Sequence, residues 1–271
     1  MRCLLRSPIF SALNEKVLNM SVTIKTQDEI NLMREAGRLV EIVHETVAAY
    51  IRPGVSTKEL DRIGEDKIRS LGCIPNFLNY QGFPASFCIS LNDEVVHGIP
   101  SEDVIIQDGD IVKIDSGLIY KGYHSDAART YLVGDVIPEV RQLAEVTRQS
   151  FFEGIRYARA GNHLNDICKN IGAYAAKHHY GIVSDLCGHG IGTHLHEDPE
   201  IPNYPMKRPG IRLRPGMTLA VEPMLNLGSG EVGWMDDGWT VVSLDESPSA
   251  HYENTILITD GEPEILTMTH A

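Results

Sequence analysis

The chain has 271 residues, 42% hydrophobic and 23% charged, with a net charge of −13. That length holds one large domain or two packed halves, and so ordinary a composition speaks against disordered and fibrous classes. The acidic balance, without any run of Lys or Arg, argues against a phosphate-tracking surface, so DNA is not expected as a partner.

Residues 1–20 read as a short, loosely held extension, with 21–271 as the folded domain. Arg6, Ser7 and Pro8 interrupt the apolar stretches around Leu4-Leu5 and Ile9-Phe10, so no signal-peptide core forms. No apolar run approaches the ~20 residues of a membrane span. The five cysteines, Cys3, Cys73, Cys88, Cys168 and Cys187, show no paired spacing, which fits a reduced, cytoplasmic compartment.

Thr26-Gln27-Asp28-Glu29 reads as a capping box. It opens a helix whose inward stripe is Ile30, Met33, Gly37, Val40, Val43 and Val47, and Arg52-Pro53-Gly54 stops it. Ser56-Thr57-Lys58-Glu59 is a second such box, followed by Leu60, Ile63, Ile68 and Leu71 on one face. Strands are expected near 86–91, 110–119 and 123–133. The order then returns, with helices near Pro138–Arg159 and Leu164–Lys177 and strands near 217–222, 239–244 and 255–259. Gly54 and Gly161, Gly109 and Gly216, and Asp115 and Glu222 each lie 107 residues apart, and His97-Gly98-Ile99-Pro100 is echoed by His196-Glu197-Asp198-Pro199. A duplicated αβ unit follows, an α+β fold of two pseudo-symmetric halves.

Five donors stand in or beside apolar, strand-like runs: Asp115 after Ile111–Ile114, Asp126, His189, Glu222 after Met217–Val221, and Glu253 before Thr255–Ile258. Burying an ionised carboxylate costs several kcal/mol unless a counter-charge meets it. Asp115 and Asp126 flank a turn at Tyr120-Lys121-Gly122, which places them opposite each other on a hairpin. Like charges so placed destabilise a sheet, and a bridging dication reverses that. Alone, the pair fits an exposed face equally well. His189 in Gly188-His189-Gly190-Ile191-Gly192 alone is only a glycine-rich turn. Together, one imidazole and four carboxylates suit Mn, Fe, Co or Zn. They exceed the needs of one catalytic zinc and match two ions sharing carboxylates.

In these motifs, with Val96–Pro100, Ile114–Gly117, His124–Asp126, Gly188–Gly192, His196–Pro199, Val221–Met224 and Tyr252–Thr255 in order, the chain resembles the type I methionine aminopeptidases over residues 22–268. The resemblance implies the pita-bread fold and a monomeric enzyme that removes methionine from the N-terminal peptide of nascent proteins, beside the ribosome, when the second residue is small. It implies two divalent ions, with Asp126 and Glu253 contacting both, Asp115 one, and His189 and Glu222 the other. By it, Glu222 serves also as the proton shuttle for a bridging water, and His97 and His196 bind substrate and aid catalysis. The methionine pocket falls on Phe77, Tyr80, Phe83, Cys88, Leu195 and Trp239. Leu195 stands where the family often has Phe, and Phe77 where it often has Cys. The alternatives are a proline-directed peptidase of the same fold and a pita-bread binding protein without catalysis.

Overall fold

The structure, a computed structural model, describes residues 22–268; the extension expected over residues 1–20 lies outside them. Helix α1 (Gln27–Ala48) begins at Thr26, whose hydroxyl accepts from the Glu29 N–H while the Glu29 carboxylate accepts from the Thr26 N–H. It buries the expected stripe from Ile30 to Val47. At α2 (Thr57–Ser70), Ser56 Oγ accepts from the Glu59 N–H, one half of the expected box. An antiparallel bridge from Ser56 to Ile105 also holds that helix entry. Helix α3 (Pro138–Ile155) stops short of Arg159: the Asn162 side-chain amide takes the Tyr157 carbonyl, and Gly161 turns left-handed at φ 93°. Helix α4 (Leu164–Lys177) matches its expected span. Among the described residues no helix is long and apolar enough to cross a membrane.

The strands are β1 (Ile74–Pro75), β2 (Phe87–Leu91), β3 (Glu94–Val96), β4 (Ile111–Tyr120) and β5 (Tyr123–Leu132) in the first half. The second half carries β6 (Gly181–Ile182), β7 (Gly188–Gly190), β8 (Glu197–Ile201), β9 (Thr218–Val221), β10 (Met224–Asn226), β11 (Val232–Trp234), β12 (Val241–Ser243), β13 (Ser249–His251), β14 (Glu253–Leu257) and β15 (Glu264–Ile265). The main sheet runs β1-β4-β5-β14-β9-β7-β8, with β2 on β4 and β15 on β14; two three-stranded sheets, β13-β10-β6 and β11-β12-β3, accompany it. Val40, Val43, Leu60 and Ile68 of α1 and α2 cover Ile89, Val112 and Ile114 of the first half. Phe151, Ile155, Ile167 and Ile171 of α3 and α4 cover Leu219, Val221 and Ile256 of the second.

The duplication shows in the backbone. The bridges Ser56–Ile105 and His163–Arg212 correspond. So do Gly54 N–H to Ile106 O and Gly161 N–H to Leu213 O, and Thr57 N–H to Val104 O and Leu164 N–H to Ile211 O. Each partner is displaced by the same 107 residues. Gly54, Gly161, Gly109 and Gly216 all take φ between 86° and 93°, the left-handed region that glycine enters without steric cost.

Three expectations about strands change. The hairpin turn is Lys121-Gly122 alone, both at positive φ (48° and 87°), as a two-residue primed turn requires. Tyr120 therefore pairs with Tyr123, Asp115 faces Ala128, and Asp126 faces Gly117. The two aspartates are diagonal neighbours on one face rather than opposite partners. Glu253 is the first residue of β14, not a residue ahead of it. Gly188-His189-Gly190 is a strand, not a turn. A Cβ at Gly188 would meet Ala220 O at 2.4 Å, and one at Gly190 would meet Asp198 O at 2.1 Å. The glycines thus let β7 fit between β8 and β9.

Candidate functional site

Five contiguous strands, β4-β5-β14-β9-β7, each deliver one of the five expected donors. Asp115 lies within β4, Asp126 within β5 and His189 within β7, while Glu253 opens β14 and Glu222 directly follows β9. Donor atoms of Asp126, His189 and Glu253 lie within 4.8 Å of one another. His189 Nε2 is 3.8 Å from Glu222 Oε1 and 4.0 Å from Asp126 Oδ2. Asp115 stands outside this tightest group, one strand over, where the charges of Asp126 and Glu222 reach it.

Burial first, then mutual repulsion, pushes Asp115, Glu222 and Glu253 well above the usual carboxylate range. Burial lifts Asp126 to about 8. The cation nearest Glu253 is Arg129, but its guanidinium donates to the carbonyls of Ala128, Glu253 and Thr267 and to Asn254 Oδ1. Asp115 Oδ1, Asp126 Oδ1 and Glu253 Oε1 are buried without a hydrogen-bond partner. His189 Nδ1 lies 2.8 Å from Gly190 O and donates there, which leaves Nε2 as a bare lone pair aimed at carboxylates. Burial holds this imidazole near pKa 4. Buried acids that must either keep a proton or meet a cation, beside a bare imidazole lone pair, form a donor set for divalent ions.

The six expected pocket residues come together. Phe77, Phe83, Cys88 and Leu195 are buried in one cluster, with Tyr80 and Trp239 packed against it. Phe83 and Trp239 meet edge to face at 5.2 Å, an arrangement aromatic rings favour. Tyr80 sits in a short 3-10 turn (Tyr80–Gly82) between Asn79 and Gln81 at positive φ (65° and 51°), and its hydroxyl is 2.7 Å from His196 Nδ1. The His196 ring packs edge-on against His189 at 4.3 Å. One flank of His196 is exposed, yet desolvation by the cleft walls, then His189, His97 and His124, depresses its pKa well below 6.5. His97 follows β3 with φ 59°, and burial lowers it to about 4. Both histidines are therefore neutral near pH 7.

Other residues of the site give little sign of themselves in the sequence. Lys25 Nζ and Glu197 Oε2 form a buried ion pair at 2.8 Å. Thr23 Oγ1 also donates to Glu197, and Glu197 Oε1 accepts from the His194 N–H. This fixes the loop that carries Leu195 and His196. The two partners are 172 residues apart, a separation no local pattern reveals. His251 is buried with Nε2 3.6 Å from Glu222 Oε2; its only signal is a place two residues before Glu253.

Metallopeptidase family M24 matches residues 31–260 of the chain. The methionine aminopeptidase of Clostridium acetobutylicum is 47% identical over 247 residues, 91% of this chain and 99% of that protein. The crystal structure of methionine aminopeptidase from Rickettsia prowazekii superposes with a TM-score of 0.89 at 40% identity, covering 92% of this chain and all of that one. The prolidase of Pyrococcus furiosus shares the fold at a TM-score of 0.75 and 24% identity, with 92% of this chain aligned to 66% of the prolidase.

Proposed function

Since the chain belongs to metallopeptidase family M24 and, within it, to the methionine aminopeptidases that remove the initiator methionine, we propose that Asp115, Asp126, His189, Glu222 and Glu253 hold two divalent ions. Asp126 and Glu253 would serve both ions, Asp115 would serve one, and His189 and Glu222 would serve the other. Co, Mn, Fe and Zn all suit one imidazole with four carboxylates. The observation that carries this reading is the row of five adjacent strands that bring the five donors together, with buried carboxylate oxygens of Asp115, Asp126 and Glu253 left without a hydrogen-bond partner. Bound there, the ions supply a nucleophile at neutral pH and polarise the scissile carbonyl.

The chain's own residues do the rest. Phe77, Tyr80, Phe83, Cys88, Leu195 and Trp239 receive the methionine side chain, whose thioether packs well against rings. Tyr80 donates to His196 Nδ1, which leaves the proton on Nε2, facing the substrate. Neutral His196 and His97 then orient the peptide and donate to the developing negative charge. Glu222 takes the proton from the attacking water and returns it to the leaving amine. The second-residue site, beside His97, admits small side chains. The enzyme works as a monomer in the cytoplasm on chains emerging from the ribosome, in keeping with its free cysteines.

Mass spectrometry of Met-Ala-Ser, after chelation and return of single metals, tests this. Activity should vanish with the chelator and return with Co, Mn or Fe. Full turnover by protein that elemental analysis finds metal-free would overturn it. The proline-directed alternative requires cleavage of Xaa-Pro peptides in preference to Met-Ala-Ser. The binding-protein alternative requires no cleavage with any metal.

A further inference from the structure

His251 is a buried imidazole that the assignments above leave unused. Its side chain is 1% exposed, and neither ring nitrogen has a hydrogen-bond partner. Its backbone is fixed on two sides. Met224 pairs with it in register, and the Thr130 hydroxyl donates to its carbonyl and accepts from its N–H. Because Glu222 lies two residues before Met224, this pairing brings the ring against the Glu222 carboxylate. Nε2 is 3.6 Å from Oε2, while the other oxygen, Oε1, faces His189. Glu222 thus has an imidazole on each side.

The two imidazoles differ in what they offer. His189 has its Nδ1 engaged at Gly190 O and presents a bare Nε2. His251 has no acceptor near Nδ1. A buried N–H without an acceptor is rarer and costlier than a lone pair without a donor, so its proton belongs on Nε2, toward Glu222. The separation of 3.6 Å is longer than a hydrogen bond, and closing it to the usual length of about 2.9 Å needs a movement of less than about 1 Å.

We propose that His251 is a positioning residue for Glu222: its Nε2–H holds the outer carboxylate oxygen, so that Glu222 presents one fixed oxygen toward the His189 side of the site. The proposal rests on Glu222 being a metal ligand. Partners that orient a ligating carboxylate are worth about 10–100-fold in metal affinity. The effect should fall on the one ion that Glu222 serves, since the His251 ring faces the Glu222 carboxylate.

Titration calorimetry of chelator-treated full-length protein with Mn(II) or Co(II) tests this directly. His251→Leu should weaken one of two binding steps by about 10–100-fold and leave the other unchanged. His251→Gln, whose Nε2 reaches the same place as the imidazole Nε2, should restore the step. His251→Asn, whose amide reaches only the Nδ1 position, should not. Equal affinity in Gln and Asn variants would overturn the proposal even if His251→Leu fails to fold, as would wild-type binding in His251→Leu. Glu222→Ala separates this from the assignment beneath it. Loss of one ion in Glu222→Ala with unaltered binding in all His251 variants defeats the positioning role alone. Retention of two ions in Glu222→Ala defeats Glu222 as a ligand.

Discussion

Glu197 and the cluster around Asp126 are both buried carboxylate sites, and they solve the same problem in opposite ways. Glu197 meets Lys25 at 2.8 Å and two further donors, Thr23 and the His194 N–H. Desolvation pushes its pKa up, but Lys25, Thr23 and His194 outweigh that and hold it below 4.5. Asp115, Asp126, Glu222 and Glu253 meet mainly one another, and their pKa values rise. A buried acid whose cation belongs to the chain is a structural tether. One whose cation must come from outside is a ligand. Neighbouring regions of one molecule can thus be told apart by where the positive charge comes from.

The largest effect should come from removing Asp126, the carboxylate proposed to serve both ions. Asp126→Ala should bring hydrolysis of Met-Ala-Ser to background and lower metal content by elemental analysis. In metal-free protein the same position should behave in the opposite sense: above about pH 8, where Asp126 is ionised, Asp126→Asn removes a repelling charge and should raise the melting temperature above that of metal-free wild type. A lower melting temperature for the metal-free Asn variant would mean that the cluster is already neutralised within the chain.

Lys25→Met should act on stability instead. Deleting one partner of a buried ion pair costs about 3–5 kcal/mol, measurable by urea unfolding, while the number of bound ions stays the same. Replacing both partners, in Lys25→Met/Glu197→Leu, should recover most of that loss. A Lys25→Met protein as stable as wild type would show that Glu197 is not held by its ion pair.

The two carboxylate sites also respond to pH in opposite directions. Asp126 has its folded pKa raised from 3.8 to about 8, so in metal-free protein its stabilising protonation is complete below about pH 4 and lost as pH rises toward 8. Glu197 has its folded pKa depressed, so its contribution is present above about 4.5 and lost as pH falls below that. Stability of chelated protein should therefore decline from pH 4 to 8 relative to metal-loaded protein. Parallel curves with and without metal, from urea midpoints at each pH, would contradict the assignment of the repelling cluster.

What the sequence disclosed follows the same division. That Asp115, Asp126, Glu222 and Glu253 would come together with His189 on neighbouring strands was legible because the four acids stand in or beside apolar runs. The 107-residue repeat was legible because glycines in the left-handed region recur at fixed positions. The hairpin register was not, since a turn of two residues and one of three look alike in sequence and differ by a shift that moves Asp115 off its partner. Gly188 and Gly190 looked like a turn because close approach of neighbouring backbone and left-handed geometry select the same residue. Lys25–Glu197 and His251–Glu222 stayed hidden because each joins parts of the chain that only the folded sheets bring together.

The smallest effect concerns the pocket, where no charge is at stake. Leu195 is buried beside Phe77, Phe83 and Cys88, with Trp239 packed against them. By the family resemblance, Leu195 stands where a Phe ring is frequent, and Phe77 stands where a smaller Cys is frequent. Ring lost and ring gained lie in one cluster, so the pocket keeps its apolar character while its shape shifts. One methylene in an apolar pocket is worth about 1–3 kcal/mol, a factor of about 10–200. Wild type should therefore tolerate norleucine or leucine at the first position better than Leu195→Phe does, by roughly that factor in kcat/KM. The loss in the variant should be larger for leucine, whose branch needs width, than for norleucine, which matches methionine in length. Kinetics on Met-, Nle- and Leu-Ala-Ser peptides decide it. Identical discrimination in both proteins would mean that Leu195 supports the His196 loop without touching the methionine side chain, and selectivity would then rest on Phe77 and Trp239.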